Sequence, residues 1–211
     1  MSKPVLIMGK SGAGKSASLR NFAPEEIDII NVIGKELPFR SALQPWQTDD
    51  YPTVDAAIKK SKKPVVVIDD AGYLITNQFM RNHAATGGGN SVFSLYNSMA
   101  DNFWMLIDSI KNLDDPDKIV YIIMHEDQND FGVVKPKTCG KLLEDKVCVE
   151  GLFTIVLRAE KSGDRYVFKT RTTGLDVTKT PIGMFEQEEI DNDLKMVDRT
   201  IREYYGMEVQ K

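Results

Sequence analysis

The stretch GKSGAGKS at residues 9–16 decides the fold of this chain. It matches G-x-x-x-x-G-K-[ST], a glycine-rich loop that joins a strand to a helix and surrounds phosphate oxygens with backbone N–H groups. The apolar run 5–8 precedes the loop and the helix-compatible segment 17–22 follows it, which is the context that the pattern requires. A chance match in a chain of this length is roughly a one-in-a-hundred event at average composition. The sequence therefore predicts a nucleoside triphosphate site.

The parts of this loop have separate expected roles. Gly12 and Gly14 let the backbone pass close to an anion. Lys15 is expected to reach the β- and γ-phosphates, and the Ser16 hydroxyl is expected to ligate Mg²⁺. The predicted nucleotide-binding residues are Gly9, Lys10, Ser11, Gly12, Ala13, Gly14, Lys15, Ser16 and Ala17.

The composition is that of a folded, acidic domain. The 211 residues suit one α/β domain, and 42% hydrophobic residues with 27% charged residues are sufficient for a core. The formal net charge of −4 argues against a surface that binds nucleic acid uniformly. Any contact with a polyanion has to come from a local basic patch, or from patches that several subunits combine.

The cysteines and the hydropathy pattern bear on location. Cys139 and Cys148 lack zinc-ligand spacing and fit a reducing compartment. The N-terminal apolar run is too short for a signal peptide, and no stretch approaches the length of a membrane span. We expect a soluble, cytoplasmic protein that has no membrane partner.

Hydrophobic periodicity predicts strands that alternate with helices. Predicted strands cover residues 5–8, 27–33, 64–70, 118–124, 152–158 and 165–171. Predicted helices cover residues 17–22, 53–61 (with Thr53 as N-cap), 74–82, 91–113, 140–146 and 191–205.

The segments between these elements complete the predicted architecture. Residues 35–52 are expected to be irregular, residues 131–137 to form a loop or short hairpin, and residues 84–90, with three adjacent glycines, to form a mobile loop. The last two strands flank a Ser-Gly-Asp turn at 162–164, which is typical of an antiparallel hairpin. We predict one α/β domain over residues 1–211, with a mostly parallel sheet flanked by helices and an antiparallel C-terminal hairpin.

Two carboxylates follow the buried strand 64–70. Ligands of parallel α/β sheets bind at the carboxyl ends of the strands, so Asp69 is expected to hold Mg²⁺ through water. Asp70 is expected to orient or deprotonate the attacking water, although it can instead cap the helix predicted at 74–82. Glu36, just past the second strand, is the alternative base, because RecA-type ATPases place their catalytic glutamate after a strand other than the Mg²⁺ strand. We prefer Asp70.

His125 follows the strand 118–124, which in such sheets lies beside the strand of Asp69. From there it can sense the γ-phosphate and relay hydrolysis to the loop behind it. The alternative is a structural histidine.

Two other nucleotide-binding classes fit less well. Asp69-Asp70-Ala71-Gly72 fits the D-x-x-G of GTPases, but the segment Thr178-Lys179-Thr180-Pro181 lacks the aspartate of a guanine motif. A small-molecule kinase needs an arginine-rich lid after the long helix, whereas residues 125–147 offer lysines.

Two basic segments are candidates for contact with single-stranded DNA. Lys135, Lys137 and Lys141 lie in a compact loop after the His125 strand, and Arg81 flanks the glycine tract. The alternative is a solvated lysine loop.

Lys169 and Arg171 are two residues apart on a predicted strand and hence on one face of it. In an oligomeric ATPase they can reach a neighbour's γ-phosphate. The alternative is an edge strand whose charges prevent aggregation.

Taken together, these motifs and the tail resemble a known family. The tail carries PIGMFE at 181–186, NDL at 192–194 and IREYY at 201–205. The chain resembles, over nearly its whole length, the small bacteriophage AAA/RecA-like P-loop ATPases of phage replication–recombination modules, the single-strand annealing or recombinase group.

This resemblance implies a RecA-like core, ATP with Mg²⁺, and assembly into a homo-oligomeric ring or filament. It also implies annealing or strand exchange on single-stranded DNA, beside a phage single-strand-binding protein. Lys15, Ser16 and Asp69 would take the phosphate and Mg²⁺ roles, and Lys169 and Arg171 would resemble the paired cations that RecA sends across a subunit interface. Residues 34–36 do not match a D-x-E pattern, which leaves the hydrolytic base open.

With this resemblance, we expect a DNA-stimulated ATPase that acts in recombination or replication. A nucleotide-gated protein-interaction module without DNA binding is the alternative, which the acidic pI supports, and a small-molecule kinase ranks third.

Overall fold

A computed structural model describes residues 1–87, 89–140, 144 and 146–208. Within this part of the chain, nine strands belong to one mixed sheet. They are β1 Lys3–Gly9, β2 Ile27–Asn31, β3 Trp46–Gln47, β4 Val65–Asp69, β5 Ile119–Gln128, β6 Val134–Pro136, β7 Ile155–Ser162, β8 Arg165–Lys169 and β9 Glu189–Asp191.

The strand order places the loop at 9–16 one strand away from β4, the predicted acidic strand. The order is β3-β2-β4-β5-β1-β7-β8-β9, with β6 paired to the end of β5. The first six strands in this order, β3, β2, β4, β5, β1 and β7, are parallel to one another. Strands β8, β9 and β6 pair antiparallel with their neighbours. β5 therefore separates β1 from β4, and Gly9 at the end of β1 is in register with His125. The predicted α/β fold with a mostly parallel sheet and antiparallel C-terminal strands is confirmed.

Helices cover both faces of the sheet. The α-helices whose bounds lie within the described residues are α1 Tyr51–Lys60, α2 Gly72–Asn82, α3 Asn90–Lys111 and α4 Leu194–Tyr205, and the 3₁₀ helices there are Ser16–Asn21, His83–Ala85 and Glu150–Leu152.

The central strand shows why the sheet has two cores. In β1, Leu6 and Met8 pack into the core that contains residues of α1, α2 and α3. Val5 and Ile7 pack into the opposite core, which contains residues of α4 and of the 3₁₀ helix after the loop. Side chains alternate between faces along a strand, so a continuous apolar run implies burial on both faces. Each such side chain contributes about 1.5–3 kcal/mol on burial.

The structure corrects several predicted boundaries at helix starts. The segment after the loop is a 3₁₀ helix, Ser16–Asn21, where the sequence predicted a helix at 17–22. Thr53 is not the N-cap of α1: the helix begins at Tyr51, and the carboxylate of Asp50 accepts a hydrogen bond of 3.0 Å from the Thr53 N–H. The C-terminal helix begins at Leu194, because Asp193 caps it with bonds to two backbone N–H groups.

Three other predictions change in extent. The segment 131–137 supplies one strand of a hairpin: β6 pairs antiparallel with residues 126–128 at the end of β5. Within the predicted loop 84–90, the 3₁₀ helix His83–Ala85 and the start of α3 at Asn90 shorten the irregular part. Arg171 lies beyond β8, which ends at Lys169. Most residues of the predicted helical turn 140–146 lie outside the described residues. Gly88 of the predicted loop also lies outside them.

Candidate nucleotide site

The loop at 9–16 has the backbone conformation that its glycines allow. Gly12 and Gly14 have φ angles of 76° and 88°, in the left-handed region that favours glycine. Gly9 is required for a different reason, since a Cβ there would collide with the carbonyl oxygen of Ala159 on the neighbouring strand β7. The loop can therefore turn tightly while its first residue lies close to the backbone of β7.

Lys15 is buried inside the loop that carries it. Its Nζ donates hydrogen bonds of 2.8 Å to the carbonyl oxygens of Gly9 and Lys10. Burial lowers the pKa of Lys15, and the charges of Asp70 and Asp69 oppose this shift. The ammonium group is thus held near two carbonyls and two carboxylates, at the point where phosphate oxygens would enter.

The predicted Mg²⁺ residues face each other directly. The Ser16 hydroxyl donates a hydrogen bond of 2.9 Å to Oδ1 of Asp69 at the end of β4. Burial, helped by the charge of Asp70, raises the pKa of Asp69 to about 6. One hydroxyl and one carboxylate fit Mg²⁺, which keeps several waters and takes further oxygens from substrate phosphates. Among the described residues, no group of three or more His, Cys, Asp or Glu side chains is arranged to hold a metal ion.

Asp70 has an unusual backbone and two charged partners. Its φ is 58°, a left-handed conformation that costs of order 1–3 kcal/mol outside glycine. Oδ1 lies 3.3 Å from His125 Nε2, and Oδ2 lies 3.6 Å from Lys35 Nζ. Burial alone would raise the pKa of Asp70, but the hydrogen bond from His125 and the charge of Lys35 outweigh it and lower the pKa. The carboxylate does not cap α2, whose N-cap is Ala71.

His125 connects the loop to this carboxylate. Its Nδ1 lies 3.5 Å from Lys15 Nζ, while Nε2 faces Asp70. A neutral ring protonated at Nε2 satisfies both contacts, because it donates to the carboxylate and accepts from the ammonium. The position agrees with the predicted strand order, in which β5 lies beside β4.

Residues that follow His125 hold the end of β5 in place. Glu126 accepts hydrogen bonds of 2.7 Å and 2.9 Å from the guanidinium of Arg158 on β7. The backbone N–H of Lys137 donates a hydrogen bond of 2.8 Å to the His125 carbonyl. The basic loop after β6 is therefore bonded directly to the histidine that faces the phosphate site.

The alternative base, Glu36, borders the same cavity. This cavity has a volume of about 900 Å³ and is lined by the loop, by Asp69 and Asp70, and by Lys35, Glu36 and Pro38. Glu36 is exposed there. Both candidate bases are thus placed at the cavity, and Asp70 is the one bonded to His125. Lys35 was missed by the sequence analysis, since a lysine in an irregular segment carries no local signal.

The other end of the cavity was also missed. Arg20, Arg165, Tyr166, Asp191, Asn192, Asp193 and Met196 line it. Tyr166 and Asn192 lie against the loop: a Cβ at Gly14 would be 3.1 Å from both the Tyr166 ring and the Asn192 Oδ1. Tyr166 comes from β8 and Asn192 from the segment before α4, both more than 140 positions after the loop. No spacing rule in the sequence connects them to the loop.

The predicted DNA contacts have different surroundings. Arg81 is ion-paired with Asp49, and Lys135 Nζ lies 2.5 Å from Glu144 Oε2. Lys137 is exposed, and Lys141 lies outside the described residues. A Cβ at Gly140 would be 3.6 Å from the Tyr96 hydroxyl, so the basic loop lies beside the N-terminal half of α3.

Lys169 and Arg171 are both bonded within their own chain. Lys169 is ion-paired with Glu189 on β9, and its Nζ lies 3.3 Å from Glu160 Oε1. Arg171 donates hydrogen bonds of 2.6 Å and 3.2 Å to the carbonyl oxygens of Phe185 and Glu186. A role at a neighbour's site would require both side chains to exchange these partners.

Comparisons with known proteins support the assignment of the loop. A family model described as an AAA domain matches residues 1–182, which include the loop, Asp69, Asp70 and His125. No curated protein matches the chain. In the described part of the chain, no helix is long and apolar enough to cross a membrane.

Proposed function

Because the chain belongs to the AAA domain family of P-loop ATPases, we propose that it binds ATP with Mg²⁺ at residues 9–17 and hydrolyses it. The observation that carries this proposal is the convergence of Lys15, Ser16, Asp69, Asp70 and His125 at the carboxyl ends of three neighbouring strands. A cavity of about 900 Å³ adjoins them, within the range of small-molecule sites.

The chain's own groups suggest how hydrolysis proceeds. Lys15 leaves its two carbonyl partners for phosphate oxygens, and the backbone N–H groups of the loop hold the β-phosphate. Asp70 accepts the proton of the attacking water as the water oxygen bonds to the γ-phosphorus and the bond to the β–γ bridging oxygen breaks. His125 holds Asp70 in position through Nε2. Bound Mg²⁺ would neutralise charge on the phosphates, held by Ser16 and by Asp69 through water.

Phosphate release from ATP tests this proposal. Lys15→Ala should weaken ATP binding on the order of 30-fold or more. Asp70→Asn should retain binding and lose roughly 100-fold or more in turnover, whereas Glu36→Gln should retain most activity. The reverse result for the last two variants would make Glu36 the base. A wild-type chain that binds ATP but releases no phosphate would contradict hydrolysis.

We further propose that hydrolysis serves a bacteriophage recombination or replication process on single-stranded DNA. The supporting contact is the hydrogen bond from the Lys137 N–H to the His125 carbonyl, because it joins the exposed basic loop to the phosphate site. A polyanion bound to the loop would then displace a group that touches Asp70 and Lys15. The expected assembly is a cytoplasmic homo-oligomeric ring or filament, in which Lys169 and Arg171 act across subunits.

Fluorescence anisotropy of a labelled oligonucleotide tests the DNA proposal. Binding should weaken steeply with salt, since phosphate contacts release counterions, and ATP turnover should rise with DNA. Lys137→Ala should reduce both effects, while the matched control Lys60→Ala, an exposed lysine in α1, should reduce neither. Absence of binding at low salt, with and without ATP, would favour a nucleotide-gated module for a protein partner, which the net charge of −4 also fits.

A further inference from the structure

Lys35 is a cation of the cavity that the proposed hydrolysis does not use. It lies in the segment after β2, and its Nζ is 3.6 Å from Oδ2 of Asp70. It lines the same cavity as Lys15 and Asp69. The chemistry proposed above assigns the phosphates to Lys15 and to the loop, so this second ammonium group has no role in it.

The backbone of Lys35 is held in place although its segment is irregular. Asn31, the last residue of β2, is 4% exposed and is in register with Asp69. Its Oδ1 accepts a hydrogen bond of 2.9 Å from the Gly34 N–H, and its Nδ2 donates to the carbonyl oxygen of Lys35. A Cβ at Gly34 would lie 2.5 Å from the side chain of Gln47, so the segment is closely packed here. One buried carboxamide therefore fixes the point from which the Lys35 side chain extends.

The Lys35 side chain extends from this point toward the residues that follow β4. Its Nζ faces Asp70 and lies 5.8 Å from the centre of the Tyr73 ring, within the range of a cation–π contact. The side chain is nevertheless 63% exposed, so its four-carbon stem can reorient with little loss of packing. An ion pair with so exposed a lysine contributes little to the stability of a fold. A contribution to folding therefore does not account for the arrangement.

Lys15 and Lys35 lie at the two ends of one series of contacts. Lys15 Nζ lies 3.5 Å from Nδ1 of His125, whose Nε2 lies 3.3 Å from Asp70 Oδ1. The other oxygen of Asp70 faces Lys35. In the proposed mechanism, Lys15 holds the γ-phosphate and Asp70 holds the attacking water. A phosphate in that position would meet a second positive charge, that of Lys35, beyond the water.

Lys35 differs from Lys169 and Arg171 in the contacts that it would have to give up. Lys169 is ion-paired with two carboxylates, and Arg171 donates hydrogen bonds to two backbone carbonyls. Lys35 faces Asp70 at 3.6 Å, which is longer than a normal hydrogen bond. Its ammonium group can therefore turn toward a phosphate at a lower cost.

We propose that Lys35 is a catalytic residue of this site and acts on the nucleotide that its own chain holds. Its ammonium group turns from Asp70 to the oxygens of the γ-phosphate. There it stabilises the negative charge on the transferred group and on the leaving oxygen in the transition state. Lys35 forms no covalent bond and releases no proton, because the proton of the water passes to Asp70. This inference rests on the proposed hydrolysis of ATP.

Phosphate release and calorimetric titration test the role of Lys35. Lys35→Ala should lower kcat about 100-fold or more. The KM for ATP and the affinity for ADP with Mg²⁺ should change less than about threefold, because the contact is strongest in the transition state. Lys35→Arg, which keeps the positive charge, should recover at least about tenfold in kcat over the alanine variant. The matched control is Lys59→Ala, since Lys59 is an exposed lysine of α1 that pairs with Asp55 at 2.6 Å. It should turn over ATP like wild type.

Binding of a transition-state analogue separates catalysis from support of the fold. Aluminium fluoride with ADP and Mg²⁺ imitates the transferred phosphoryl group, so wild-type protein should bind ADP about tenfold or more tightly when it is present. Lys35→Ala should lose most of this gain. Its melting temperature without nucleotide should match that of wild type, because an exposed ion pair contributes little to stability.

Three outcomes would overturn the role of Lys35 while the proposed function stands. The first is turnover of Lys35→Ala within about threefold of wild type. The second is turnover of Lys35→Arg as low as that of Lys35→Ala. The third is an equal loss of ADP affinity with and without aluminium fluoride, which would mean that Lys35 only supports the site. A wild-type chain that releases no phosphate would instead overturn the proposed hydrolysis.

Discussion

His125 Nε2 lies 3.3 Å from Oδ1 of Asp70, and the other nitrogen of the same ring lies 3.5 Å from Lys15 Nζ. One imidazole thus joins the lysine of the phosphate loop to the carboxylate that follows β4. Displacement of Lys15 toward a phosphate would remove one partner of the ring and leave the other in place. The predicted role of His125 as a sensor of the γ-phosphate would depend on these two contacts.

The first prediction concerns this histidine. His125→Ala should lower ATP turnover roughly 10- to 100-fold, because Asp70 loses the partner that positions it, while ATP affinity changes little. Steady-state kinetics and calorimetry measure the two effects. The matched control is His83→Ala, since His83 is exposed and stacks on Phe79. Equal effects of the two substitutions would contradict the assigned role.

The second prediction uses the pKa of Asp69, which burial raises to about 6. The unfolded carboxyl ionises near pH 4, so the folded protein loses stability from this group as pH rises from about 4 to 6. Asp69→Asn should therefore stabilise the nucleotide-free protein at pH 8, on the order of 2 kcal/mol, with little effect at pH 4. Urea unfolding at both values measures the difference. The same variant should lose Mg²⁺-dependent turnover, and a variant that is less stable than wild type at pH 8 would contradict the shift.

The third prediction tests the close approach of β1 and β7. Gly9→Ala should destabilise the protein by about 1–3 kcal/mol, because its methyl group meets the backbone carbonyl of Ala159. The melting temperature should fall by about 2–4 °C for each kcal/mol. Gly72→Ala is the control: its Cβ would meet its nearest neighbours at 3.5 Å and 3.6 Å, which is ordinary contact. Similar melting temperatures for both variants would show that β7 moves freely.

The fourth prediction concerns a buried ion pair at the amino-terminal edge of the sheet. Arg202 Nε of α4 donates a hydrogen bond of 2.6 Å to Asp198, which also accepts one of 3.0 Å from the Tyr121 hydroxyl on β5. Asp198→Ala should cost about 3–5 kcal/mol, because it leaves the guanidinium buried without its counter-ion. Denaturant unfolding measures this cost.

The control for that variant is the exposed pair of Arg199 and Glu203 on the same helix. Glu203→Ala should change stability by less than about 1 kcal/mol. A comparable loss in both variants would indicate that helix formation, rather than the buried pair, determines the effect.

The sequence predicts the central architecture well because its signals are local. Three such signals are the run Val5–Met8, the loop pattern and the run before Asp69. Each of them consists of a few consecutive residues. Since parallel strands place their carboxyl ends together, the convergence of Lys15, Asp69 and His125 follows from strand order. These parts of the prediction depend on short-range pattern and on one general rule of topology.

The remaining parts depend on contacts between distant segments. Asp50 and Thr53 are both acceptable caps by residue type, and only the backbone conformation at Asp50 decides between them. Lys169 and Arg171 satisfy the strand periodicity, but their partners Glu189 and Phe185 lie 14 to 20 positions away. Tyr166 and Asn192 meet Gly14 through the pairing of β8 with β9 and the packing beside the loop, which no spacing in the sequence records.

The placement of α4 has a practical consequence. Leu194, Val197 and Ile201 cover the same side of the sheet as Val5, Ile7 and Leu157, yet all three come after residue 182, the last residue that the family model matches. An expression fragment trimmed to the matched region would present those strand side chains to water and would tend to precipitate. The region that the family model matches therefore lacks a helix whose side chains belong to this core.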